Sequence, residues 1–175
     1  MLRKHGLTAL LAVSPGLITE QAPADTAARL ALSIDDTYRD PSRGGFCTWS
    51  ELRELVAGGN IAIAAHGCTH VSLDSPTVDL ESEIVLPRAF LTARLGVPVN
   101  SFVFPFGRFS KEALKKVRAN YRYAFRIGGA INDHWKHRVL YRVDGDSMKN
   151  AKSLTTSGRL IGYHWRFFWN RLRGR

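Results

Sequence analysis

The chain has 175 residues, of which 45% are hydrophobic and 23% charged, the length and composition of one globular domain with a real core. No apolar run reaches the length of a membrane span, there is no internal repeat, and two cysteines, Cys47 and Cys68, are too few for a disulfide framework and read as free buried thiols. The net charge of +10 favours anionic partners. The excess is uneven, because the stretch from Arg159 to Arg175 carries Arg159, Arg166, Arg171, Arg173 and Arg175 and no acid.

Two readings of the N-terminus are open. Arg3 and Lys4, the apolar Leu7–Val13 and the small residues Ala22-Pro23-Ala24 resemble a signal peptide. The favoured reading is a helix end over Met1 to His5, Gly6 as its cap, and a buried strand through Ala9 to Val13. Thr19 to Arg29 is a polar, alanine-rich connection with room for a helical turn. Leu30 to Ile34 is a short strand or helix end, and Asp35 to Gly45 a loop. Thr48 with Glu51 three residues on is a capping box, opening a helix that places Leu52, Leu55 and Val56 on one face and stops at Gly58-Gly59. Ile61 to Ala65 follows as an apolar strand. Asp79 to Leu95 is the clearest helix, with Pro87 as a kink and Gly96 as its stop. Ser101 to Phe104 is a strand closed by Pro105-Phe106-Gly107. Ser110 caps a helix over Lys111 to Asn120, and Tyr123 to Ile127 and Leu140 to Val143 are strands. Short hydrophobic strands alternating with amphipathic helices predict an α/β fold, a parallel sheet or barrel.

Functional residues in such folds gather at the C-terminal ends of strands. His66 and His70, in His66-Gly67-Cys68-Thr69-His70, directly follow the Ile61–Ala65 strand. Histidines at i and i+4 can converge on one metal ion if the segment turns, and neutral imidazoles suit zinc, with cobalt, nickel or iron as alternatives. The spacing alone is weak, and the plainer reading is two hydrogen-bonded histidines. His134 and His137 flank Trp135 in a loop and read as solvated. Asp144 and Asp146 close the last strand.

These residues resemble the NodB-type polysaccharide deacetylase family. His66-Gly67-Cys68-Thr69-His70 with Leu73 matches its metal motif, and Thr48-Trp49-Ser50-Glu51-Leu52 looks like its "TWxEL" helix. Ser101-Phe102-Val103-Phe104-Pro105-Phe106-Gly107 is similar to its "sFaYPyG" strand and turn, and Tyr121-Arg122-Tyr123-Ala124-Phe125 to its "gYraaf" strand. The resemblance runs over residues 1–148, the expected domain, with 149–175 as a basic aromatic tail. It implies a distorted (β/α) barrel and a metal-dependent hydrolase that removes acetyl groups from N-acetylated polysaccharide or oligosaccharide. It further implies a metal held by two histidines and an aspartate, a second aspartate as base and a histidine as acid. Pro105, Phe106 and Gly107 read either as a sugar-binding wall, since an aromatic face stacks on pyranose rings, or as a plain core turn. His164, in Leu160-Ile161-Gly162-Tyr163-His164, loosely resembles the family's final "LxH" acid motif.

The family's two aspartates belong to a "TFDDG" motif that closes the first strand. Ser33-Ile34-Asp35-Asp36-Thr37 looks like it but stands too late. The family's next helix and strand correspond to Leu2-Arg3-Lys4-His5-Gly6 and Thr8–Val13, which precede Asp35. The favoured register has Met1 inside the first helix and a barrel incomplete at its N-terminus. Two other readings stay open: a rearranged site with Asp36 on the metal and Asp35 as base, or a non-catalytic carbohydrate-binding form. The tail alternates Tyr163, Trp165, Phe167, Phe168 and Trp169 with arginines. It reads first as a helix packed on the barrel and next as a contact for an anionic membrane surface. Nucleic acid is the disfavoured partner, supported by charge and tail alone. The compartment, cytoplasm or periplasm, stays open.

Overall fold

Five short runs of aliphatic, aromatic and alanine residues pair into one parallel sheet in chain order. The computed structural model describes residues 2–21, 26–135, 139–145 and 156–173. Ala22-Pro23-Ala24, His137, Asp146 and the boundary expected after residue 148 lie outside them. The elements are β1 (Ala9–Val13), α1 (Thr26–Leu30), α2 (Ile34–Arg39), α3 (Trp49–Ala57), β2 (Ile61–Ala65), α4 (Leu86–Leu95), β3 (Ser101–Val103), α5 (Lys111–Asn120), β4 (Tyr123–Ile127), β5 (Val139–Arg142) and α6 (Ser157–Leu172). Parallel strands joined by helical crossovers, each beside its predecessor, form the wall of an incomplete β/α barrel. The fold class expected from the sequence is the one observed.

The register is continuous from Ala9 opposite Ile61 to Val13 opposite Ala65, so the ends of β1 and β2 finish level. The core lies between this sheet and the helices, with Leu52, Ile84, Leu91, Phe102 and Phe104 fully enclosed. Removing such side chains from water contributes about 1.5–3 kcal/mol each. β1 is less buried than its composition predicts, with Leu10 39% exposed, because among the described residues no strand covers its outer side.

The stretch from Asp35 to Gly45 is not a loop. α2 occupies Ile34–Arg39, and its N-cap Ser33 accepts a hydrogen bond from the Asp36 amide. Asp35 and Asp36 fill the first turn of this helix, where carboxylates offset the positive end of the helix dipole. A short 3-10 turn, Pro41–Arg43, follows. The capping box of α3 forms as expected, with Thr48 accepting from the Glu51 amide and Glu51 accepting from the Thr48 amide. Glu51 also takes both terminal nitrogens of Arg29 at 2.7 Å, tying α1 to α3. Arg29 first, and the Thr48 amide next, hold the Glu51 carboxyl down to about 2.

The long helix expected from Asp79 is divided. Glu81–Val85 forms a π-helical turn before α4, and the Leu86 amide reaches the Glu81 carbonyl. Pro87, the second residue of α4, has no amide to continue the α-helical ladder, so the widened turn is where the register is taken up. The turn is held from outside by Tyr121, whose buried hydroxyl donates to the Ile84 carbonyl at 2.6 Å. Tyr121→Phe should therefore cost about 1–2 kcal/mol, the net worth of a buried hydrogen bond plus the orphaned carbonyl. Urea denaturation checks this, and an unchanged midpoint would show the bond to be idle.

Candidate metal centre

β2 ends at Ala65, and the chain turns at once through His66 and Gly67. The His66 amide donates to the Val13 carbonyl at the end of β1. The Ser14 hydroxyl donates to the His66 carbonyl at 2.7 Å. The segment is pinned further along, where the Ser110 amide donates to the Leu73 carbonyl and the Leu73 side chain is fully buried. The loop between these anchors is gathered on Glu83. This residue, 6% exposed, accepts from the amides of Cys68 and Thr69 and from the Thr69 hydroxyl, at 2.7, 3.2 and 2.6 Å. Gly67 is required here twice over. Its φ is +74°, and an added Cβ would stand 2.7 Å from the Glu83 Oε2.

The loop brings the two histidine rings together. His66 Nδ1 lies 2.7 Å from the Val103 carbonyl oxygen. A carbonyl only accepts, so Nδ1 carries the proton and Nε2 keeps its lone pair. That Nε2 stands 3.1 Å from Nε2 of His70. His70 reaches this position through a left-handed backbone, φ 61°, a conformation histidine visits more readily than most side chains. Its ring stacks on Tyr38 with centroids 4.9 Å apart and meets Phe106 at 4.7 Å. The Tyr38 hydroxyl is 3.4 Å from His70 Nε2.

Burial, above all, pushes the His66 imidazole down to about 4. The charges of His70 and Arg142 add to this, and the Val103 bond opposes it. His70 is also lowered by burial, against the pull of Glu83. Both rings are therefore neutral near neutral pH. A cavity of about 120 Å³ adjoins them, lined by Leu11, Val13, Leu17, Tyr38 and Phe46 as well as the two histidines.

Other residues singled out from sequence fall elsewhere. Asp36 is engaged with the Ser33 hydroxyl at 2.6 Å and with Arg39 at 3.6 Å, interactions that hold its carboxyl below the usual range, Ser33 most of all. Asp35 is exposed on the same turn, and His164 is exposed on α6. Among the described residues no third histidine, cysteine, aspartate or glutamate joins His66 and His70 in a group able to hold a metal. The structure thus does not bring Asp35, Asp36 or His164 to the pair. Pro105 and Gly107 are buried, while Phe106, with φ 55°, is 57% exposed and turns its ring toward His70. Cys47 and Cys68 are free thiols, each partly buried.

The family model for polysaccharide deacetylase matches residues 1–126, so the chain belongs to the polysaccharide deacetylase family. No curated protein sequence matches it. Among solved structures it is similar to IcaB from Ammonifex degensii, at 16% identity and TM-score 0.61 over 93% of this chain and 64% of that one. It is also similar to a de-N-acetylase from Aggregatibacter actinomycetemcomitans, at 16% identity and TM-score 0.58 over 81% and 62%. A third likeness is to the Streptococcus pyogenes deacetylase PplD, solved in complex with acetate, at 18% identity and TM-score 0.57 over 81% and 54%. At these identities the structures establish a shared fold, and the chain spans less than two thirds of each of these three.

Two outcomes test the site's construction. The first concerns protonation. In metal-free protein the His66 ring should stay neutral until about pH 4. The unfolded chain takes that proton near pH 6.5, so His66 contributes a loss of stability as pH falls from about 6.5 to about 4. Ring-proton NMR across that interval checks it, and a His66 titration at or above 6.5 would show that burial does not govern this ring. The second concerns Glu83. Glu83→Ala leaves the Cys68 and Thr69 amides without their acceptor and should destabilise the fold by about 2–3 kcal/mol. A variant as stable as the parent in urea would show that the loop holds itself.

Proposed function

We propose that His66 and His70 are two protein ligands of a divalent metal centre, with zinc the best chemical match, in a hydrolase that removes acetyl groups from N-acetylated polysaccharide. The observation that carries this is the convergence of two neutral ring nitrogens at 3.1 Å. Two imidazoles on one tetrahedral zinc, with bonds of about 2.0–2.1 Å, place their nitrogens roughly 3.3 Å apart. The Val103 carbonyl at His66 Nδ1 is the kind of outer partner that fixes a ligand tautomer and raises its basicity. Cobalt, nickel and iron share this ligand preference.

A divalent ion bound there would polarise an amide carbonyl and activate water. The chain's own part is to hold the two Nε2 atoms toward one point, to keep the rings neutral by burial, and to offer a wall for the sugar. The exposed face of Phe106 beside His70 suits stacking against a pyranose ring, with Pro105 and Gly107 shaping the turn beneath it. Catalytic zinc centres ordinarily have three protein ligands and an open position. Two histidines should therefore bind the ion weakly unless an anionic group joins them.

A second reading is favoured by the engagement of Asp36 with Ser33 and Arg39. On this reading the chain binds acetylated sugar at the Phe106 wall without turning it over. Added zinc or cobalt with acetylated chito-oligosaccharide separates the two. Under the first reading acetate is released, metal uptake by calorimetry is measurable, and His66→Ala or His70→Ala lowers metal affinity at least about tenfold and abolishes release. Oligosaccharide binding that survives both substitutions, with no acetate released, would support the second. Metal uptake unaffected by either substitution would sink the first.

A further inference from the structure

α6 has two apolar faces, and the fold uses one of them. Tyr163 is 8% exposed, and Phe167 meets Tyr141 of β5 edge-on with ring centroids 6.1 Å apart. Leu160 is half-buried on the same side. The helix is further tied down by Arg166, whose Nη1 donates to the Gly129 carbonyl at 3.3 Å, just beyond the end of β4. Positions 160, 163 and 167 recur at helical spacing and define the packed face.

Positions 161, 165, 168, 169 and 172 define another. They follow the i, i+4, i+7, i+8, i+11 pattern of a single stripe on the opposite side. All five are large and apolar: Ile161, Trp165, Phe168, Trp169 and Leu172 are 60, 58, 55, 49 and 62% exposed. Scattered exposed apolar residues are normal, but a contiguous stripe marks an interaction surface. Arginines border it. On a helical projection, Arg166 and Arg173 flank one margin and Arg171 the other. Arg173 lies over the Trp169 ring at 5.9 Å, and Arg171 reaches Asp133 at 4.0 Å. No acid occurs between Ser157 and Arg173.

We propose that this outer face of α6 docks flat on an anionic lipid bilayer. Tryptophan and phenylalanine on one face with arginines at its margins is the pattern of a helix lying in the headgroup region. There the aromatic rings enter the acyl boundary, and the guanidinium of Arg173, which lies over the stripe's own Trp169, reaches up to lipid phosphates while Arg166 and Arg171 add positive potential at the margins. Two tryptophans in a stripe of five favour the interface over an ordinary protein contact, since indole combines an apolar body with a polar edge. A helix of 16 residues is about 24 Å long. No helix among the described residues is long and apolar enough to cross a membrane, so α6 lies on the surface. It packs against the strand ends of β4 and β5, the end of the sheet that also carries His66 and His70. Docking would therefore hold that rim near the bilayer. Membrane contact through α6 does not depend on metal binding at the histidine pair.

The test is co-sedimentation of the full chain with vesicles of phosphatidylglycerol and phosphatidylcholine, against vesicles of phosphatidylcholine alone. Partitioning should be at least about tenfold stronger to the anionic vesicles, because arginines near such a surface are attracted by its negative potential. It should weaken at high salt and fall at least about tenfold in the Trp165→Ser, Trp169→Ser double variant. Brominated lipid should quench tryptophan emission in the unaltered protein, a readout that needs no variant. Three results would overturn the proposal. One is equal partitioning to neutral vesicles. Another is a salt-dependent shift with single-stranded oligonucleotide and no vesicle binding. The last is self-association lost in the double variant, again without vesicle binding.

Discussion

The candidate site depends on one buried carboxylate. Glu83 sits in the π-helical turn before α4 and takes three hydrogen bonds from Cys68 and Thr69. A carboxylate that is 6% exposed is costly unless its oxygens are satisfied, and here the loop satisfies them. The dependence runs both ways. The loop can leave β2, pass through a left-handed Gly67 and a left-handed His70, and still present both rings inward because its amides end on Glu83. Backbone strain of this sort persists only where the surroundings over-determine it. The surroundings are Glu83 on one side, Ser14 and Val13 on another, and Leu73 at the far end.

Much of this is legible in the sequence, and the rest is hidden for physical reasons. β2, β4 and the cap of α5 fall where pattern and capping chemistry place them, because short apolar runs between glycine and serine boundaries have few alternatives. The His66–His70 spacing is readable, and its position after β2 gives it weight. Tyr38 is not readable as a neighbour of His70, since the region from Asp35 to Gly45 has the composition of a loop. Asp, Arg, Pro and Gly are turn formers, yet Ser33 and two acids are also a good helix start. The Ser33–Asp36–Thr37 capping bonds decide in favour of α2. The same choice explains why the Asp-Asp pair resembles a strand-end motif without serving as one. Glu83 is hidden for another reason. A lone glutamate on a helix reads as solvated, and only the π-helical turn directs it inward; the signal is Pro87, which forbids a regular helix there.

The edges of the sheet are treated differently. At β5, the edge of the sheet among the described residues, the side-chain amide of Asn132 pairs with the backbone, donating to the Tyr141 carbonyl at 2.8 Å and accepting from its amide at 2.9 Å. This pairing blunts the edge, and α6 packs on the same strand through Phe167 and Tyr141. β1 has no such cover among the described residues, and Leu7 and Leu10 are exposed beside it. The residues that close β1 and β2, Ser14 and His66, are nonetheless fixed. The Val13 carbonyl accepts from the His66 amide, and the Ser14 hydroxyl donates to the His66 carbonyl, so the site end of the two strands is locked even where the outer edge is bare.

Charge decides what the histidine pair can hold. Two neutral imidazoles bring no negative charge, and Arg142 is close enough to push the His66 ring further from protonation. A dication between the rings would feel that same arginine. Glu83 offsets part of it, as its pull on His70 shows, but its oxygens are already committed to the loop. Tight binding of a dication there would therefore call for an anionic partner such as a carboxylate. Such a group would be stabilised by the same positive field that opposes a bare dication. The electrostatics that would make a two-histidine centre weak for a bare dication are those that would favour an anionic group beside the two rings.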